Sequence, residues 1–192
     1  MAIVKKHKKT GNQIDLNNIK FINEKIESRL LQSVIFENSE FNEIIFKDCD
    51  LTGSVFFGCK FINCSFSESV LNKCEFHDCA FTKADFKNSQ LVKTEMNNCK
   101  LPFLTFSKCN LDWSFLNNYD LREVHFDDIS LEGAIIVDCK LFNTKSNIIN
   151  FGEKHLAKIV NIDFSSELNK SRVIHKNEFL ELIKWKKENN GI

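Results

Sequence analysis

The chain has 192 residues with 26 basic and 26 acidic side chains, so it is one domain's worth of sequence with no net charge, and 43% of it is hydrophobic. No uninterrupted apolar run approaches a membrane span, and the basic first ten residues lack the apolar segment of a secretory signal, so a soluble cytoplasmic protein with no membrane partner is expected. Nineteen Phe against six Gly and one Pro suit a repetitive core better than a loop-rich one.

Residues 1–15 read as a flexible basic tail carrying Lys5, Lys6, Lys8 and Lys9. Such a charge run is more often a solvated end than a nucleic-acid site, and no direct nucleic-acid binding is expected. From Leu16 a beat of five begins, through Phe21, Ile26 and Leu31. Two places before the beat, where later repeats put a small residue, stand Glu24 and Arg29. An irregular first coil that caps the open end is therefore expected.

From Phe36 to Leu141 the beat is unbroken, and all 22 positions five apart are Phe, Leu, Met or Ile. A period of five fits neither the 3.6 of a helix nor the 2.0 of a flat strand, so the chain must turn once per repeat. Two places before these centres, Cys, Ser, Ala and Thr fill 16 of the 22 positions (8, 5, 2 and 1), while the other three places favour Asn, Asp, Glu, Lys and Ser. One large and one small inward residue followed by a polar tight turn describes each unit.

Units such as Cys74-Glu75-Phe76-His77-Asp78 and Ala84-Asp85-Phe86-Lys87-Asn88 resemble the pentapeptide repeat family. The resemblance implies an all-β solenoid over residues 16–151, a right-handed quadrilateral parallel β-helix in which four units make one square coil. Six to seven coils at about 4.8 Å each would form a rod about 30 Å long. Centres twenty apart would then stack, with Leu31, Leu51, Leu71, Leu91, Leu111 and Leu131 in one row and Phe46, Phe66, Phe86, Phe106 and Phe126 in another.

All eight cysteines, Cys49, Cys59, Cys64, Cys74, Cys79, Cys99, Cys109 and Cys139, fall in the small column. A free Cys behaves as a small buried hydrophobe, and intervals of five do not match the pairs two to four apart that hold zinc. Neither a metal nor a cofactor is expected.

The four walls of such a rod differ in charge. Side four, around Phe36, Phe56, Phe76, Met96, Leu116 and Ile136, carries the acids Glu37, Glu75, Asp78, Glu95 and Asp138 and no basic residue, whereas sides one to three carry both signs. The same side places Phe115 above Ile135, with Phe57 and Val137 nearby and Trp113 at its corner over Gly133. Acids alone serve solubility, but aromatic and apolar residues clustered beside them resemble an interface, so these residues are the partner-binding candidates. In the coil 101–120, Pro102, Phe103 and Leu104, with Tyr119 in a small position, predict a local bulge.

The beat fails at Ser146 and leaves Phe151 as its last centre. Residues 152–192 read as a C-terminal α-helical cap or dimerisation segment, with helical patterns over 154–160 and 177–188. Phe179, Leu180, Leu182, Ile183 and Trp185 are the cap or dimer candidates, and the family resemblance favours a homodimer through this end.

No catalytic constellation is visible: His77 and His125 lie in outward columns without a companion nucleophile, and there is no glycine-rich phosphate loop, so an enzyme is not expected. The sequence is read as a non-catalytic protein-interaction scaffold. Resemblance to the Qnr-like branch implies an alternative, a DNA mimic that binds a type II topoisomerase (DNA gyrase or topoisomerase IV) and confers quinolone or toxin protection. A duplex about 30 Å long would present roughly seventeen charges. Side four offers the five acids named above.

Overall fold

Five residues make one side of a square because each unit spends about three on a short strand and then reverses through a left-handed residue. The computed structural model describes residues 14–117, 124–139, 145–146, 149–152, 155, 157–160 and 173–174. Two places after each centre, every described unit from Asn18 to Asp138 has a positive φ, between 48° and 67°. Asn, Asp and Gly hold most of these positions, and they are the residues that enter the left-handed region at least cost.

The coils stack as parallel strands in a register of twenty, with Phe36 beside Phe56, Phe56 beside Phe76 and Phe76 beside Met96 on side four. Side four is a nine-stranded sheet running from Ile14–Asn17 to Val173–Ile174. Side two has seven strands, from Lys25–Glu27 to Lys145–Ser146, and side one has four, from Lys20–Ile22 to Ala80–Thr82. On side three the chain turns more tightly, Ser54 N–H donating to Leu51 O at 2.9 Å and Cys74 N–H to Leu71 O at 3.1 Å, with single bridges such as Asp50 to Val70 between coils.

The rod is filled by rings. Along sides one, two and four they lie parallel, with centroids 4.8 Å apart for Phe41 and Phe61, 4.7 Å for Phe66 and Phe86, and 4.8 Å for Phe56 and Phe76, while leucines from Leu31 to Leu131 fill side three. Around the corners they meet edge to face, as Phe56 and Phe61 do at 5.4 Å and 67°. Both are favourable ring geometries, and each pair adds about 0.5–1.5 kcal/mol beyond its buried area.

The small column fastens each coil to the one before. Ser54 Oγ donates to Leu31 O at 2.7 Å, Thr94 Oγ1 to Leu71 O at 3.0 Å and Cys59 Sγ to Phe36 O at 3.3 Å, each reaching back 23 residues. Cys, Ser and Thr are short and able to donate, whereas Ala84, Ala134 and Leu104 fill the same column by packing alone. All eight cysteines are free thiols and buried.

Three expectations need correction. The first coil is regular: Ile14–Asn17 pairs with Val34–Glu37 in the register of twenty, and Lys20–Ile22 and Lys25–Glu27 do the same with the next coil. Glu24 and Arg29 are tolerated because a terminal coil lets an inward position escape to solvent, and both are exposed.

In the coil 101–120 no residue bulges out within the described part, and Phe86, Phe106 and Phe126 keep their register. Instead side one exchanges its strand for the turn used on side three, Leu104 N–H donating to Leu101 O at 3.3 Å across Pro102 and Phe103. Proline presets the second residue of such a turn, and Phe103 takes a φ of 60° at the third. Tyr119 lies outside the described residues.

The helix expected over 154–160 is absent where that stretch is described: Lys158–Val160 is a strand that pairs with Ile135–Val137 and is covered by the antiparallel Val173–Ile174. Its partner Ile135 lies 23 residues earlier, so the extra residues leave the beat while Phe151 stays fully buried. Backbone hydrogen bonding to an open sheet edge outweighed a weak helical pattern. The tail before residue 14, and Phe179, Leu180, Leu182, Ile183 and Trp185 with the rest of the expected cap, lie outside the described residues.

Candidate functional site

On side four the residue before each centre points outward, and the strand register stacks these residues into one vertical column. After the exposed Asp15 of the first coil it reads Ile35, Val55, Glu75, Glu95, Phe115 and Ile135, each paired directly with the next. Two apolar residues, two carboxylates and two apolar residues therefore follow one another at the strand spacing of about 4.8 Å. The sequence reading found the acids and the Phe115–Ile135 pair separately. The whole column is legible only by taking every twentieth residue from position 35.

The acids differ in their surroundings. Glu75 Oε2 lies 3.1 Å from His77 Nε2, and His77 Nδ1 lies 3.4 Å from Asn97 Nδ2. Glu95 makes no side-chain hydrogen bond or ion pair among the described residues, although Glu75 stands next to it in register. Like charges directly opposed on neighbouring strands weaken a sheet. Glu37 accepts from Asn17 Nδ2 at 3.1 Å, Asp78 accepts from Asn98 Nδ2, and Asp138 is exposed at the opposite end.

A second column beside the first carries Glu37, Phe57, His77, Asn97, Asn117 and Val137. Phe57 is 49% exposed and leans over His77, ring centroids 6.1 Å apart. Ile135 is 36% exposed, and Phe115 and Val137 are half-buried. The shift from 20 to 23 residues also brings an exposed Lys158 beside Ile135, so side four ends in a cation that a strict count of twenty misses.

Trp113, 47% exposed, stands at the corner between sides three and four. One part of its ring covers Gly133, and the imidazole of His155 packs against it, centroids 4.8 Å apart. The carbonyl of His155 accepts from Gly133 N–H at 2.5 Å. Trp113 thus seats the chain where it departs from the beat, a role the sequence reading missed because His155 comes after the repeats. The acids, Phe57, Phe115 and Ile135 share one wall, and Trp113 borders it.

Among the described residues no group of His, Cys, Asp and Glu could hold a metal ion, and no helix is long and apolar enough to cross a membrane.

A family model for the pentapeptide repeat region matches residues 24–102 and 69–159, which together span most of the chain. The chain belongs to the pentapeptide repeat family. No curated protein matches this pentapeptide repeat protein. Among solved structures it is similar to HetL, a protein involved in heterocyst differentiation regulation from the cyanobacterium Nostoc, at 15% identity and a TM-score of 0.47, covering 84% of this chain and 78% of that one. It is also similar to full-length QnrB1, a plasmid-mediated fluoroquinolone resistance protein, at 20% identity and a TM-score of 0.46, covering 93% of this chain and all of that one. A thylakoid-lumen pentapeptide repeat protein of Arabidopsis thaliana matches at 18% identity and a TM-score of 0.32, covering 62% and 70% of the two chains.

Proposed function

We propose that this pentapeptide repeat protein is a non-catalytic scaffold of the cytoplasm that docks a protein partner on the outer wall of side four. The observation that carries the reading is the run of outward apolar residues at one end of that wall, Phe115 and Ile135 in register with Val137 beside them and Trp113 at the border. Apolar and aromatic residues rimmed by carboxylates have the make-up of an interface core with a polar rim.

The test is site-specific photo-crosslinking in cells, with the reactive side chain placed at Val137 on side four or at Ser107 on side two. A protein trapped at Val137 and not at Ser107, and released when Ile135→Lys is added, supports docking on this wall. Equal trapping at both positions, or trapping that survives Ile135→Lys, overturns it.

A second reading rests on charge. Side four has no basic side chain between Val34 and Asp138, which favours a charge mimic of DNA that binds DNA gyrase or topoisomerase IV. Against it, the strands at Val55–Phe57 and Phe115–Asn117 contribute no acid to the row. A supercoiling assay with and without a quinolone decides: inhibition or drug protection that is lost on replacing Glu75, Asp78 and Glu95 by Lys supports mimicry, and no effect at micromolar protein eliminates it.

A further inference from the structure

We infer that the occupant of side four is a cationic amphipathic helix of the partner that sets an arginine between two apolar side chains, one about 10 Å to either side. This inference rests on the docking reading above and names the partner's chemistry. It comes from the order of the column, in which Glu75 and Glu95 stand between Ile35 with Val55 and Phe115 with Ile135.

The spacing selects the helix. From the middle of the acid pair to the middle of either apolar pair is two strand steps, about 9.6 Å. Residues seven apart on a helix lie about 10.5 Å from each other on the same face, so a helix along the rod matches the column without distortion. The neighbouring column follows the order in part: Phe57 and Val137 stand at two of the apolar levels, Glu37 and Asn117 at the other two, and His77 and Asn97 at the acidic ones. That width suits the face of a helix rather than a single extended strand.

Charge selects arginine. Two carboxylates in register, one of them without a partner among the described residues, are complemented by a planar group with several donors that can reach both. A guanidinium does this, whereas an ammonium offers a single point of charge.

The same order argues against a second copy of this chain on the wall. A two-fold axis would match the apolar ends well, but it would lay Glu75 and Glu95 against Glu95 and Glu75 of the copy. Four carboxylates would then be buried together with no cation between them.

The test uses the full chain and two fluorescein-labelled alanine- and glutamine-based helical peptides with leucines at i−7 and i+7. One peptide carries arginine at i and the other carries neutral citrulline. In anisotropy titrations the arginine peptide is expected to bind about tenfold tighter, and Glu75→Gln with Glu95→Gln should erase the difference. The control pair Glu43→Gln with Glu68→Gln removes the same charge from other walls and should leave it intact. Equal binding of the two peptides, equal loss in the control, or no binding at high micromolar protein overturns the inference. If both peptides bind alike and Ile135→Lys releases both, arginine recognition fails while docking on side four stands. If the labelled protein self-associates through this wall, measured by sedimentation and abolished by Ile135→Lys, the occupant is a second copy and the inference is wrong.

Discussion

The indole of Trp113 fills the place that a β-carbon on Gly133 would need, with Cε3 only 2.6 Å and Cζ3 2.9 Å from that point. Gly53 occupies the same corner row with the same φ of +67°, but a β-carbon there would meet only Ser33 Oγ, at 3.7 Å. The two glycines therefore separate backbone strain from ring displacement. Gly53→Ala should cost about 1 kcal/mol for the left-handed conformation, and Gly133→Ala about 1–2 kcal/mol more. Urea unfolding measures both. In a Trp113→Ala background the excess at Gly133 should vanish, and a double-mutant cycle that finds no coupling would show that the ring moves aside freely.

Phe61 is fully enclosed, stacked on Phe41 and Phe81 and edge to face with Phe56, Phe66 and Phe76. Phe61→Ala should lose about 3–5 kcal/mol, because coils held in a ladder cannot close around the gap. A loss below about 1.5 kcal/mol, which only a collapsed site would give, would contradict the rigid stacking described here.

Burial pushes the thiols of Cys64 and Cys109 up to about 11 and that of Cys74 up to about 12, from an ordinary value of 9.0. The folded state thus keeps protons that the unfolded chain releases. Their contribution to stability is complete below pH 9 and declines as pH rises from 9 through 11 to 12. Thermal melts should show alkaline destabilisation in that window, and Cys64→Ser with Cys74→Ser should blunt it. At pH 8 a thiol reagent should label these cysteines only after unfolding, and fast labelling of the folded protein would be inconsistent with their burial.

Glu95 faces Glu75 across one strand step and has no compensating partner among the described residues. Glu95→Gln should therefore stabilise the protein by a few tenths of a kcal/mol, up to about 1, at low salt. The gain should shrink as ionic strength rises and screens the pair. Destabilisation, or a gain unaffected by salt, would mean that the repulsion is not felt.

Much of the fold was legible in the residues. The run of Phe and Leu centres, the small donors two places earlier and the Asn, Asp and Gly two places later state the length of each side, its inward pair and its corner. Pro102 was noticed but misread, because proline signals a change of course without saying whether a residue is added or one turn type replaces another. The stretch from Lys158 to Val160 was misread because three residues carry almost no periodicity, and the edge left open by Ile135–Val137 is supplied by distant chain. The wall was half legible: its acids and its Phe115–Ile135 pair could be read from the twenty-residue stack, while the seat of Trp113 against His155 could not, since the register slips between them.

By itself the sequence determined what points inward, because period and side-chain size act locally and repeat without interruption. Only the tertiary structure decided which outward residues become neighbours at the end of the rod, how the chain leaves its beat, and that two levels of carboxylate, one of them beside His77 and the other without a partner among the described residues, lie between apolar ones. Those relations depend on hydrogen-bonded register between segments twenty or more residues apart, and register is a property of the stacked coils and of no single repeat.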